Sequence, residues 1–183
     1  MPTTSIHYEK IIHFWFSELS VSQWWKRDSE LDRTIAERFG KLHAAAARSE
    51  LFQWRATPQG RLAEVLVLDQ FSRNIYRNRP QAFACDPLAL ALAQEAVLRG
   101  VDDALEPAWR NFLYMPYVHS ESALIHKEAV RVCSKAGEQT YDFELRHKAV
   151  IDRFGRYPHR NIILGRQSTP EEIEFLKQPG SSF

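Results

Sequence analysis

The sequence has almost no sulfur chemistry to offer. Its two cysteines, Cys85 and Cys133, lie far apart and outside any Cys-x-x-Cys spacing, which excludes a disulfide framework and a thiolate zinc site. Both read as small buried apolar residues. Net charge is nearly as scarce, at +1 with a pI of about 7.8, and argues against a general nucleic-acid binder. No apolar run approaches the length that spans a bilayer, so no membrane partner is expected. The amino-terminal stretch breaks its apolar residues with acids, bases and His13, as an amphipathic helix does and a signal peptide does not. A cytoplasmic protein is therefore expected. A fixed-period repeat is missing too: Arg73-Asn74-Ile75 and Arg160-Asn161-Ile162 share only Arg-Asn-Ile, which is too short to show duplication. No stretch alternates apolar and polar residues for long enough to be a strand.

What the sequence has is helix punctuation. Thr57-Pro58, Asp86-Pro87, Glu106-Pro107 and Thr169-Pro170 each place a proline where a first helical turn accepts it. Glu172, three residues after Thr169, completes a capping box. Between these starts, apolar residues recur at helical spacing. The spacing predicts helices over Ile6–Leu19, from Asp28 or Ser29 to Ala46, from Pro58 to Arg73, Leu88 to Arg99 ending at Gly100, Pro107 to Met115 ending at Pro116, Glu121 to Lys135, Thr140 to Phe154, and Pro170 to Lys177. The pair Trp24-Trp25 cannot share one helix face, so one ring is expected inward and one over a neighbour. With 183 residues, 44% of them hydrophobic, the chain can bury one real core. The expectation is an all-α domain of antiparallel helix pairs over residues 1–177, with a flexible tail over 178–183.

Two helices carry an ionisable residue where their stripe calls for an apolar one: Asp69 after Leu62, Val65 and Leu66, and His147 between Phe143 and Val150. A buried carboxylate must be paired, and Arg73, one turn on from Asp69, is the nearest candidate. The densest polar stretch follows the second of these helices. It runs from Arg153 to Arg166 and alternates Arg153, Arg156, Arg160 and Arg166 with Phe154, Tyr157, His159 and Asn161. Solvated loops are built from Ser, Asp, Lys and Gly, not from arginine beside aromatic rings. If the helices carrying them share a centre, Asp69, Arg73, His147, His159 and Arg160 meet there.

The motifs Leu68-Asp69-Gln70-Phe71-x-Arg73-Asn74, Ala82-Phe83-Ala84-x-Asp86-Pro87, Phe112-x-Tyr114-Met115-Pro116, His119-Ser120-Glu121 and Phe154-Gly155-Arg156-x-Pro158-His159-Arg160-Asn161 resemble those of the bacterial domain of unknown function 924. So does Leu164-Gly165-Arg166-x-Ser168-Thr169-Pro170-Glu171-Glu172. The resemblance covers nearly the whole chain. It implies a helical superhelix similar to tetratricopeptide-repeat proteins and carries no activity with it. The chain departs from the pattern at Ser72 and Tyr157, where Pro and Phe are expected.

The functional expectation is a polar pocket lined by Asp69, Gln70, Arg73, Asn74, His119, Glu121, His147, Arg156, His159, Arg160 and Asn161. Its arginines would clamp a small anionic molecule or a peptide carboxylate, with Asp69 and Glu121 orienting them. Two other readings stand beside this one. A hydrolase-like or other enzyme would use His159 or His147 with Asp69 or Glu121 as acid and base, and a purely structural cluster would lock loops to the helices of a protein-interaction scaffold. No metal and no cofactor are expected. Glu144-x-x-His147 has the spacing of helical di-iron ligands, but such sites need a second copy, and the surrounding arginines oppose a cation.

Overall fold

The computed structural model describes residues 7–182, and among them there are helices and turns and no strand. The all-α expectation holds. Of the expected first helix, Ile6 lies outside the described residues. The rest is α1 (Tyr8–His13) running into a π-helical turn at Phe14–Glu18. A short α2 (Val21–Trp25) begins with a capping box between Ser20 and Gln23. Then α3 (Ser29–Ala47) starts where Asp28 accepts the backbone N–H groups of Glu30 and Leu31, a cap that satisfies two orphan donors. Its buried face is Leu31, Ile35, Phe39, Leu42 and Ala46, as the spacing predicts, with His43 added.

The helix expected from Pro58 to Arg73 is more irregular than its pattern. It runs as α4 (Pro58–Leu66), capped by the Thr57 hydroxyl, then a π-helical turn at Val67–Phe71, then α5 (Ser72–Ile75). A widened turn of this kind re-aims side chains and recurs at functional sites. It swings Asp69 into the interior while leaving Leu68 and Phe71 in the apolar core, all fully buried.

Next come α6 (Asp86–Leu98) and α7 (Pro107–Val118). Here the sequence reading needs correction, because Pro116 does not end α7. Every residue from Phe112 to Val118 is buried, and that burial outweighs the single backbone hydrogen bond a proline removes. An extra turn beyond Met115 therefore exists, and His119 caps it. The following helix also starts later than expected, as α8 (Ala123–Cys133) capped by Ser122, which leaves Glu121 in the loop. Its buried face is His126, Ala129, Val132 and Cys133, whereas Leu124 and Glu128 point outward. Then α9 (Glu138–Phe154) stops at Gly155, whose φ of 66° suits glycine. The capping box predicted at Thr169 and Glu172 opens α10 (Pro170–Leu176).

Helices α6, α7, α8 and α9 pack consecutively, and α4 touches α1, α6 and α7. The centre is aromatic: Phe14, Trp15, Phe39, Phe71 and Phe112 form a chain of tilted, edge-to-face and stacked ring contacts, with successive ring centres no more than 6.0 Å apart. Trp24 packs inward, donating Nε1–H to the Trp15 carbonyl at 2.8 Å. Trp25 is 55% exposed and lies over Phe112, so the two rings divide as expected. Both residues that depart from the family pattern put a hydroxyl to use. Ser72 bonds His43 at 2.7 Å and Tyr157 donates to the Val118 carbonyl at 2.5 Å.

Candidate functional site

The π-helical turn and the extra turn of α7 meet at Asp69, and the turn after α9 joins them through the His119 carbonyl. The carboxylate is wholly buried. Its Oδ1 meets His119 Nδ1 at 2.7 Å and Arg73 Nη1 at 3.1 Å, and its Oδ2 accepts from Gln70 Nε2 at 2.6 Å. Burial alone would push the carboxyl up, but Arg73, His119 and Gln70 outweigh it and hold it below the usual carboxylate range. The His119 imidazole is pushed down by burial and then by Arg73, against Asp69. A neutral ring beside an ionised carboxylate donates from Nδ1, which leaves Nε2 as the basic edge.

Arg73 does more than pair with Asp69. Its guanidinium forks onto Asp86 at 2.9 and 3.0 Å and donates to the Asp69 carbonyl at 2.9 Å. Asp86 was read as a helix-capping residue. It instead occupies the first position of α6, and its carboxylate serves two arginines. The second is Arg160, whose guanidinium carbon sits 4.6 Å from the ring centres of both Phe83 and Tyr157. That placement is a cation–π sandwich. Arg160 donates Nη2–H to the His119 carbonyl at 3.0 Å and reaches Asp86 at 3.5 Å. Its Nε is buried with no hydrogen-bond partner. Burial, then Arg73, lowers its pKa.

These groups border a cavity of about 250 Å³. Of the expected site residues, Gln70, Arg73, Asn74, His119, His147, His159 and Arg160 line it. Asp69 lies behind that wall, bonded to three of them. The remaining three are elsewhere. Glu121 is forked by Arg166 at 2.7 and 2.9 Å and accepts the Tyr157 N–H at 2.7 Å. Arg156 forks onto Glu172 at 2.6 and 2.8 Å, and Asn161 donates to the same carboxylate at 3.2 Å. Segment 153–166 thus divides in two. Arg153, Arg156 and Arg166 tie it to Glu171, Glu172 and Glu121, and the turn Pro158–Arg160 delivers His159 and Arg160 to the cavity.

The cavity histidines are held neutral. Burial pushes His147 down to about 3, although the Phe143 carbonyl, 2.8 Å from Nδ1, opposes it. Burial and then Arg160 push His159 down to about 4. His119 is the ring that reaches Asp69, a partnership the sequence reading gave to His147 or His159. Its position depends on the turn of α7 beyond Pro116, which the sequence reading had excluded. Glu144, considered above with His147, is bonded to His126 at 2.7 Å, and both are wholly buried.

Several wall residues lie outside the expected site set. Trp24, Trp25, Lys26 and Arg27 come from α2 and its exit, and Arg77, Asn78, Phe83 and Tyr157 are among the other residues of the wall. The adjacent tryptophans followed by Lys26-Arg27 were a usable signal. The cavity's polar wall has one sign: among the described residues no Asp or Glu lines it. Asp69, Asp86 and Asp32 stand behind it, and Asp32 pairs with Arg77 and Asn74. Lys26 and Arg27 have no ion pair among the described residues and add uncompensated positive charge.

A family model described as a bacterial protein of unknown function (DUF924) matches residues 11–180, and the chain belongs to that family. A solved structure of a protein of unknown function from Agrobacterium tumefaciens is similar at 37% identity and a TM-score of 0.89, covering 93% of this chain and 96% of that one. Among curated proteins, none matches. No helix among the described residues is long and apolar enough to cross a membrane.

Proposed function

We propose that this member of the family binds a small organic anion, a carboxylate or a phosphate with an apolar planar part, in the cavity between α2, α5, α7 and the turn after α9. The observation that carries the reading is the wall itself. Arg73, Arg77, Arg160, Lys26 and Arg27 border the space while, among the described residues, no carboxylate does. Inside, Asp69 and Asp86 offset the charge of Arg73 and Arg160 and hold the deep arginines in place, against the repulsion between the two guanidinium groups. At the mouth, Lys26 and Arg27 leave the local field positive, which attracts an anion. The Arg160 guanidinium lines the cavity and is a charged donor group for a bound anion.

Size and lining narrow the ligand. At about 250 Å³ the cavity lies just below the ~300 Å³ at which drug-sized pockets begin. A small metabolite suits it better than a peptide. Trp24, Trp25, Phe83, Phe143 and Tyr157 offer ring faces and edges to an apolar part.

Thermal unfolding in increasing benzoate, phenyl phosphate and inorganic phosphate tests this, with benzamidine as the cation of matching shape. Benzoate or phenyl phosphate is expected to raise the midpoint saturably, benzamidine to leave it, and Arg27→Glu, an exposed change, to weaken the effect. An equal response to benzamidine, or no saturable response to any of the anions, refutes the proposal.

A further inference from the structure

We propose that Asp69 and His119 form a general-base pair that activates water against a small carboxylic ester bearing an anionic group. This rests on the anion-binding reading and adds a reaction to it. The geometry has four parts. Asp69 Oδ1 and His119 Nδ1 are 2.7 Å apart. The carboxylate is wholly buried and anchored on its other side by Gln70 and Arg73, so it fixes the orientation of the ring. The His119 ring lines the cavity, and its Nε2 has no hydrogen bond among the described residues. Finally, Arg160 donates to the carbonyl of His119 itself, which places a cationic donor beside the base.

A buried His–Asp contact also occurs as plain structure, and His126–Glu144 is this chain's own example. There both ring nitrogens are occupied, one by Glu144 and the other by the Ser120 carbonyl, and the pair is sealed from solvent. His119 differs in bordering the cavity and in keeping one nitrogen open. No Ser, Thr or Cys lines the cavity among the described residues, so water is the nucleophile the site can offer.

The step balances without a further reagent. As the water oxygen forms its bond to the ester carbonyl carbon, a water proton passes to His119 Nε2. The carbonyl electron pair becomes an oxyanion beside Arg160 and Arg73. Asp69 stabilises the imidazolium that results. Collapse breaks the bond from carbon to the alkoxy oxygen, and Nε2 returns the proton to that oxygen. One ester and one water give one carboxylic acid and one alcohol.

Groups facing the ring from its neighbours are Asp69 and Arg73 on the α4–α5 helix, Asp86 on α6, His147 on α9, and His159 and Arg160 on the turn after it. Burial and Arg73 keep the imidazole below its ordinary range. The base form is therefore complete at pH 7, and activity should fall only as pH drops through a value below ~6.5.

The test uses the whole chain with mono-4-nitrophenyl succinate as the anionic ester and 4-nitrophenyl acetate as the neutral one, alongside benzoate binding by thermal shift. Turnover of the succinate ester is expected, saturable and preferred over the acetate. His119→Gln should lower kcat by about 10²–10⁴-fold while benzoate still binds. Asp69→Asn should do the same if it folds, and the wild-type pH profile tests the base even if that variant does not fold. Benzoate binding without turnover, His119→Gln keeping the wild-type rate, or a rate that rises as pH falls below ~6.5 overturns the inference and leaves the binding proposal intact. Absence of a saturable response to any of the anions refutes the binding proposal instead.

Discussion

Glu172→Gln separates the part of the arginine-rich segment that holds the fold from the part that faces the cavity. Glu172 is 2% exposed and closes four contacts: the Arg156 fork, the Asn161 amide and the Thr169 backbone N–H. The Arg156 hydrogen bonds, against burial, pull its carboxyl from 4.5 to about 2, with help from Thr169 and Asn161. Each tenfold change in proton affinity is worth ~1.4 kcal/mol, so the ionised form contributes about 3 kcal/mol at pH 7. Arg156 is 28% exposed, and solvent screening reduces this towards about 2 kcal/mol. Glutamine keeps the shape and can still accept the Thr169 N–H, so the charge is what the substitution removes. Because the folded pKa is depressed, the contribution is complete above the unfolded value. It is lost as pH falls from about 5 towards about 2. Urea unfolding followed by circular dichroism at several pH values is the assay. The gap between wild type and Glu172→Gln should be about 2–3 kcal/mol at pH 7 and narrow steadily below pH 5. A gap that stays constant with pH, or one below about 0.5 kcal/mol at pH 7, refutes the reasoning. The variant should also keep the benzoate response, since the clamp lies outside the cavity.

Arg160→Ala removes a cation from between two rings but leaves Asp86 forked by Arg73. It should cost about 2 kcal/mol in urea unfolding and abolish anion binding. His126→Leu leaves the wholly buried Glu144 carboxylate without its partner. The expected loss is about 3–5 kcal/mol at pH 7. Burial already pushes Glu144 up, so the variant should recover stability as pH falls and the carboxyl becomes neutral. Tyr157→Phe removes the donor to the Val118 carbonyl and should cost about 1 kcal/mol, read from the same unfolding curves.

Much of the fold was legible because helix starts are local chemistry. Thr57-Pro58 and the Thr169–Glu172 box act through neighbouring backbone groups, and both helices begin where they say. The ends were less legible where packing decides. Pro116 reads locally as a stop, yet α7 passes through it because its last turns are buried on every side. The cost of that misreading fell on the site, since His119 reaches Asp69 only from the extra turn. Asp69 itself was legible as a charge on an apolar stripe, and Arg73 as its neighbour. Asp86 was not, because an acid before a proline looks like a cap and nothing local indicates an arginine from the far end of the chain. Similarly, segment 153–166 looked like one cluster. Whether an arginine there serves Glu172, Glu121 or the cavity depends on contacts up to 74 positions apart in sequence.

The most direct measurement follows the arginine Nε–H signals by ¹H–¹⁵N NMR during a titration with benzoate, using Arg160→Lys to assign Arg160. If the cavity is an anion site, the Arg160 signal moves saturably, because its guanidinium borders the cavity. Arg156, already forked onto Glu172, should stay in place. Uniform small drifts across all arginines, or movement of Arg156 with Arg160 unmoved, would contradict the account.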